Sequence, residues 1–247
     1  MNTKALFHII GEISDDFIME ADSAAKKVRR MRLSRAVVLA AAITALLGLS
    51  VFASGTIVKN RNSTGSNIPY YHSVPSQRTL QKAIGIAPRM PKQFTNGYAF
   101  YTGNILKNED CGENDQVLEK YQSLFCQYRR GGSQLSIHVD GAAAGLQMNG
   151  SETAAVYKKS EIKYAAYTNK IVPGNYQLTE QDLEDQTSGK YVFSFGGEGI
   201  TVSEVQILGW EYDGLCYSIC AIDNPIAQGE LVQMAKELID NQNEAKG

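Results

Sequence analysis

The sequence predicts an α+β protein in which an N-terminal amphipathic helix continues into one transmembrane helix. A domain follows, with a curved antiparallel sheet and helices packed on one side. Three observations predict this. Ala36 to Val58 holds no charged residue and, at about 1.5 Å per residue, is long enough to cross a hydrocarbon core of roughly 30 Å. Further on, stretches rich in β-branched and aromatic residues alternate apolar with polar positions between glycine-bearing turns. Other segments place apolar residues at helical spacing behind a capping side chain.

Taken in chain order, Leu6, Ile10, Ile13, Phe17, Ala21, Ala24 and Val28 recur every three or four residues, the period of an amphipathic helix. Gly11 interrupts the stripe. Ser14 then reads as an N-cap with Asp15 and Asp16 in the first turn, and Ile13 and Ile18 take the positions of a hydrophobic staple. A segment this short cannot bury its stripe internally, so Leu6, Ile10, Ile13 and Phe17 are candidate contacts with a cytoplasmic partner. A helix lying in the membrane interface is the other reading.

The basic run KKVRRMRLSR, residues 26–35, precedes the apolar segment, whereas only Lys59 and Arg61 lie close behind it. The positive-inside rule then puts the N-terminus in the cytoplasm and the C-terminal domain outside. Lys26, Lys27, Arg29, Arg30, Arg32 and Arg35 are candidate contacts for anionic lipid. Cleavage after Ala53 as a signal peptide is the rival reading. The 35 residues before the apolar run, with their own helical pattern, are too long for a secretory n-region and favour a retained anchor.

Residues 59–77 are polar and punctuated by Gly65, Pro69 and Pro75, which reads as a linker to a domain at 78–247. Ser76 caps a short helix that Gly85 ends. Strands are expected at Tyr98 to Leu106, Leu118 to Tyr128, Gln134 to Val139, Ala154 to Tyr167, Lys190 to Phe195, Ile200 to Glu211 and Leu215 to Ile222. Arg130-Gly131-Gly132-Ser133, Gly196-Gly197-Glu198-Gly199 and Asp213-Gly214 read as turns that pair neighbouring strands antiparallel. Thr179 caps a helix over Glu180 to Gln186, and Gln228 to Asp240 forms the last helix, with Leu231, Ala235, Leu238 and Ile239 on one face.

Charge and motif content narrow the chemistry. The chain has 24 Lys/Arg against 26 Asp/Glu, and residues 1–35 carry a net +2, which leaves a mildly acidic remainder with no footprint for nucleic acid. There is no G-x-S-x-G, phosphate-cradling glycine loop or HExxH. His138 and Asp140 form an H-x-D on a strand without an evident third ligand, so a structural histidine with a local hydrogen bond is the better reading. Glu109, Asp110, Glu113 and Asp115 lack the order of a calcium loop. Trp210, Tyr212 and Tyr217 read as core aromatics before a binding surface. Cys216 and Cys220, four residues apart on one strand, are too far apart to bridge; Cys111 with Cys126 stays open beside free buried thiols. No catalytic residue, cofactor site or metal site is expected.

Two segments, GEISDDFIMEAD at residues 11–22 and ILGWEYDGLCYSICAIDNPIAQGELVQMAKELID at residues 207–240, resemble anti-sigma-factor-like single-pass membrane proteins of Gram-positive bacteria. The resemblance implies a non-enzymatic, membrane-anchored regulator or sensor whose cytoplasmic segment binds a sigma factor and whose outer domain binds an envelope signal. Residues 1–35 contain no cysteine, so the zinc site of zinc-type anti-sigma factors is not carried over. The alternative is a tethered or secreted binding module for an apolar or cell-wall ligand.

Overall fold

The structure is a computed structural model and describes residues 59–63, 70–111, 116–141, 148 and 150–243. The expectations placed on residues 1–58 therefore lie outside the described residues: the amphipathic segment, the basic run and the apolar stretch Ala36 to Val58.

Among the described residues ten strands form one sheet in the order β1-β3-β4-β5-β10-β9-β7-β6, with β2 pairing β3 and β8 pairing β7. The strands are β1 (Lys59–Ser63), β2 (Tyr70–Tyr71), β3 (Ala99–Cys111), β4 (Val117–Arg130), β5 (Ser133–Gly141), β6 (Glu152–Tyr157), β7 (Ser160–Val172), β8 (Val192–Phe195), β9 (Thr201–Tyr212) and β10 (Leu215–Ile222). The helices among the described residues are α1 (Gln77–Ile84), α2 (Glu180–Thr187) and α3 (Gln228–Asn243).

This corrects the expected fold class. The sheet dominates and is mixed, because β8 runs parallel to β7, in register from Asn169 opposite Val192 to Val172 opposite Phe195. A parallel pair needs a long crossover, and residues 173–191 with α2 supply it. Gly196 to Gly199 is accordingly not a hairpin turn. The amides of Gly196 and Gly197 both donate to the Val172 carbonyl, and a Cβ on Gly197 would meet Ile171 and the Gly199 carbonyl at 2.9 Å. Those glycines allow a close backbone approach.

The single-pass membrane organisation, with a cytoplasmic N-terminus and an extracytoplasmic domain, is corrected as well. Among the described residues no helix is long and apolar enough to cross a membrane. The longest, α3, has 16 residues and rises only about 24 Å, and it carries Glu230, Lys236, Glu237 and Asp240.

Residues expected to form a linker build strands instead: β1 pairs β3 from Lys59 opposite Cys111 to Ser63 opposite Lys107, and Tyr70 and Tyr71 oppose Asn104 and Gly103. In α1, the Ser76 hydroxyl accepts the Thr79 amide, and Gly85, at φ 74°, ends the helix by donating to Gln81. The run expected as one strand at Ala154 to Tyr167 is a hairpin, β6 and β7. Its turn holds Lys158 and Lys159 at φ 43° and 69°, a conformation that glycine or asparagine would have advertised.

The chain divides into two compact units, one containing Tyr167–Ser203 and the other containing the rest of the described residues. In the larger unit, β4, β5, β9 and β10 send Leu124, Tyr128, Leu135, Ile137, Val139, Leu208, Trp210, Tyr217 and Ile219 into a core closed by Leu80 of α1 and Leu231, Met234, Ala235 and Leu238 of α3. In the smaller unit, Thr179 and Asp182 form a capping box at the start of α2, and Asp182 also accepts from Tyr176 and, at 2.6 Å, from Lys170. These bonds, led by that from Lys170, hold the Asp182 carboxyl well below the usual carboxylate range. Its charge does more than complement the helix dipole: it ties the crossover to β7.

Candidate functional site

Side chains alternate along β4, β5 and β10, so residues not pointed into the apolar core form a second set. Ser123, His138, Ser136 and Cys220 belong to it, and all are buried. Ser123 joins two neighbours: Asn108 Nδ2 donates to its Oγ at 2.9 Å, and His138 Nε2 lies 2.5 Å from the same oxygen. Because Asn108 supplies the donor, the Ser123 hydroxyl is left to donate to His138 Nε2, which places the imidazole proton on Nδ1. Burial pushes the His138 imidazole down to about 4, so it is neutral at ordinary pH.

A serine hydroxyl on a neutral imidazole is the pairing of a nucleophile with its base. Ser123 is 0% and His138 3% exposed, however, which leaves no approach for a substrate. Among the described residues His138 bonds Ser123 and not Asp140, so the H-x-D of the sequence is not assembled as a site. Nor do any three His, Cys, Asp or Glu side chains come together in a metal-binding group there.

Two of the thiols, Cys126 and Cys220, are closed as well, and Cys216 is half-buried. Cys126, Cys216 and Cys220 are free, and burial raises all three, the last two to about 12. A Cys111–Cys126 bridge is ruled out by the strand register. Cys126 opposes Gly103, and Cys111 lies eight residues farther along β3, roughly 26 Å away. Trp210 and Tyr217 are a cross-strand pair stacked at 5.3 Å and 5° inside the core.

One open feature among the described residues is a groove of about 740 Å³ at the distal end of β3 and β4. Its walls are Ile84 and Ile86, set by the Gly85 turn at the end of α1, and Lys107, Glu109, Lys120 and Gln122 from the two strands, with Gly141 beside them. Lys107 opposes Gln122 and Glu109 opposes Lys120, so these four share one sheet face. Lys120 Nζ lies 2.6 Å from Glu109 Oε1, which leaves Lys107 as the excess positive charge among the described residues of the groove. The groove is apolar on its helix side and cationic on its strand side.

Sequence reasoning missed this site, because it ends the first strand at Leu106, reads Glu109 as part of an acidic stretch beyond it, and takes Lys120 as a polar position of the next strand. The candidates it did name, Leu6, Ile10, Ile13 and Phe17 for a partner and Lys26, Lys27, Arg29, Arg30, Arg32 and Arg35 for lipid, lie outside the described residues. No protein-family model, curated protein or solved structure matches this chain.

Proposed function

We propose that the protein is a non-enzymatic regulator or sensor. Its sheet domain binds a signal molecule in the groove between α1 and the β3–β4 ribbon, and its N-terminal segment, residues 5–28, contacts a partner protein. The resemblance in residues 11–22 and 207–240 favours a sigma factor, or another regulator, as that partner. The observation that carries the reading is the groove itself. Its size falls in the usual range for ligand sites, and its apolar wall opposite Lys107 and Lys120 suits an elongated apolar molecule bearing an anionic group.

The test is calorimetric titration of the full chain with dodecanoate and with dodecyltrimethylammonium below their micelle concentrations. Dodecanoate should bind more tightly, and the double variant Lys107→Glu, Lys120→Glu should weaken it by about tenfold, the scale of one charge-assisted contact. Equal binding of the two amphiphiles, or no effect of the charge reversal, would discard the groove. Removal of residues 1–25 addresses the other half. Loss of partner co-purification with ligand binding intact supports the two-part regulator, whereas full biological function without those residues would favour a free-standing binding module.

A further inference from the structure

Two consecutive arginines at the other end of β4 are held in the same way but used differently. The Arg130 guanidinium lies over the Tyr98 ring at 4.6 Å, and its Nη1 donates to the Asn96 carbonyl at 3.0 Å and to Glu230 at 2.8 Å. Its charge is therefore committed to an internal carboxylate. Arg129 sits still closer to an aromatic face, with Cζ 3.3 Å from the centroid of Tyr101. Its Nε donates to Gln134 Oε1 at 2.8 Å. Stack and side-chain lock are both present, yet among the described residues no carboxylate meets its two terminal amino groups.

The backbone is built to make this arrangement. Arg129 opposes Ala99 on one side and Gln134 on the other, while the β3–β4 register shifts between Phe100 and Thr102, leaving Tyr101 outside the ladder. A bulge of this kind re-aims one side chain, here to lie beneath its neighbour's guanidinium. Both Arg129 and Tyr101 are exposed, the latter at 47%. An arginine normally loses side-chain freedom when it binds, and this one is already ordered by its ring and its amide partner, so less is lost on engaging a ligand.

We infer that Arg129, stacked on Tyr101 and locked by Gln134, is a receptor for a carboxylate. The planar fork matches a carboxylate bidentately. A single net positive charge, with Arg130 neutralised by Glu230, fits a monoanion better than a phosphate dianion. The site is at the opposite end of β3 and β4 from the groove and does not depend on it.

The experiment is an NMR titration of the full chain, read at the Arg129 Nε resonance. The probes are acetyl-Gly-Glu-Gly-amide, its Gln counterpart, acetate and inorganic phosphate. The Glu peptide should bind about tenfold more tightly than the Gln peptide. Arg129→Lys, which keeps the charge but removes the fork, should weaken it by a similar factor, and Tyr101→Phe, which keeps the stack, should leave it unchanged. Acetate binding as well as the Glu peptide would retain the carboxylate receptor and assign it to free carboxylates. Equal binding of the Glu and Gln peptides, tighter binding of phosphate, or an Arg129→Lys variant that folds normally and binds like the wild type would overturn the inference.

Discussion

Over Ser123 to Tyr128, strand β4 and the parts of β5 and β10 in register with it largely bury both of their faces and fill them with opposite chemistry. On one face Leu124, Cys126 and Tyr128 of β4 stand beside Leu135, Ile137 and Val139 of β5 and Tyr217, Ile219 and Ala221 of β10, against the apolar side of α3. On the other, Ser123, Gln127, Ser136, His138 and Cys220 are buried just as deeply, joined only by Phe125 among large apolar side chains of these three strands. An antiparallel strand usually keeps its polar positions in water. Here a polar face is dry, and each of its groups must find a partner or carry an unmet desolvation cost. The first face supplies cohesion. The second, with its Asn108–Ser123–His138 chain, restricts which arrangement of strands is tolerable.

The largest expected difference between the faces comes from truncating the apolar one. Ile137 is fully buried and lies between Cys126 and Ile219 in the register. Ile137→Ala should cost about 2–5 kcal/mol, as transfer energy plus a cavity the sheet cannot close, read as the shift in urea midpoint at constant slope. A cost below about 1 kcal/mol would mean that α3 relaxes into the space and that the two faces differ less than their packing indicates.

Titration should separate the faces next. His138 is the histidine of the polar face, and its folded value of about 4 lies below the ordinary 6.5. The folded state therefore favours the neutral ring. The stability it confers is complete above about pH 6.5 and is lost as the pH falls through that value toward 4, because the unfolded chain takes up the proton first. The full loss is about 3 kcal/mol. Urea midpoints between pH 7 and 4 should show this slope in the wild type and a flatter one in His138→Gln. Equal slopes would mean that the polar face is not closed around a neutral imidazole.

Much of the apolar face was legible in the sequence, since alternation in Gln134 to Val139 and Leu215 to Ile222, and the spacing of Leu231, Ala235 and Leu238, are local signals of burial. Ser76, Gly85, Thr179 and Asp213-Gly214 likewise announce their caps and turns through backbone chemistry that each residue type carries with it. The parallel pairing of β8 was not legible, because Gly196 to Gly199 has the composition of a hairpin turn and only the contact with Ile171 and Val172 reveals its other use. The Lys158–Lys159 turn was hidden for the converse reason. Those residues have no turn signature, and Lys158 is held instead by Asp240 from α3, 82 residues away. The groove and the Arg129 stack depend on register between strands, which a single sequence does not display.

The smallest expected effect has the opposite sign and tests the polar face most directly. The Ser136 hydroxyl is buried without a hydrogen-bond partner, on a residue that opposes Gln127 on β4 and Cys220 on β10. A polar group left in this state has lost its water and gained nothing in return. Ser136→Ala removes the hydroxyl and leaves a space smaller than a methyl group, so the cavity penalty is slight while the desolvation penalty disappears. The protein should become more stable by up to about 1 kcal/mol, seen as a higher urea midpoint at unchanged slope. Ser123→Ala, which strands His138 Nε2 and Asn108 Nδ2 together, supplies the contrast and should destabilise by about 1–3 kcal/mol. Were Ser136→Ala to destabilise by as much as Ser123→Ala, its hydroxyl would have to be held by an internal water, since no other change in that variant removes a bond. The Asn108 Oδ1 would then be the group of this network still without a partner.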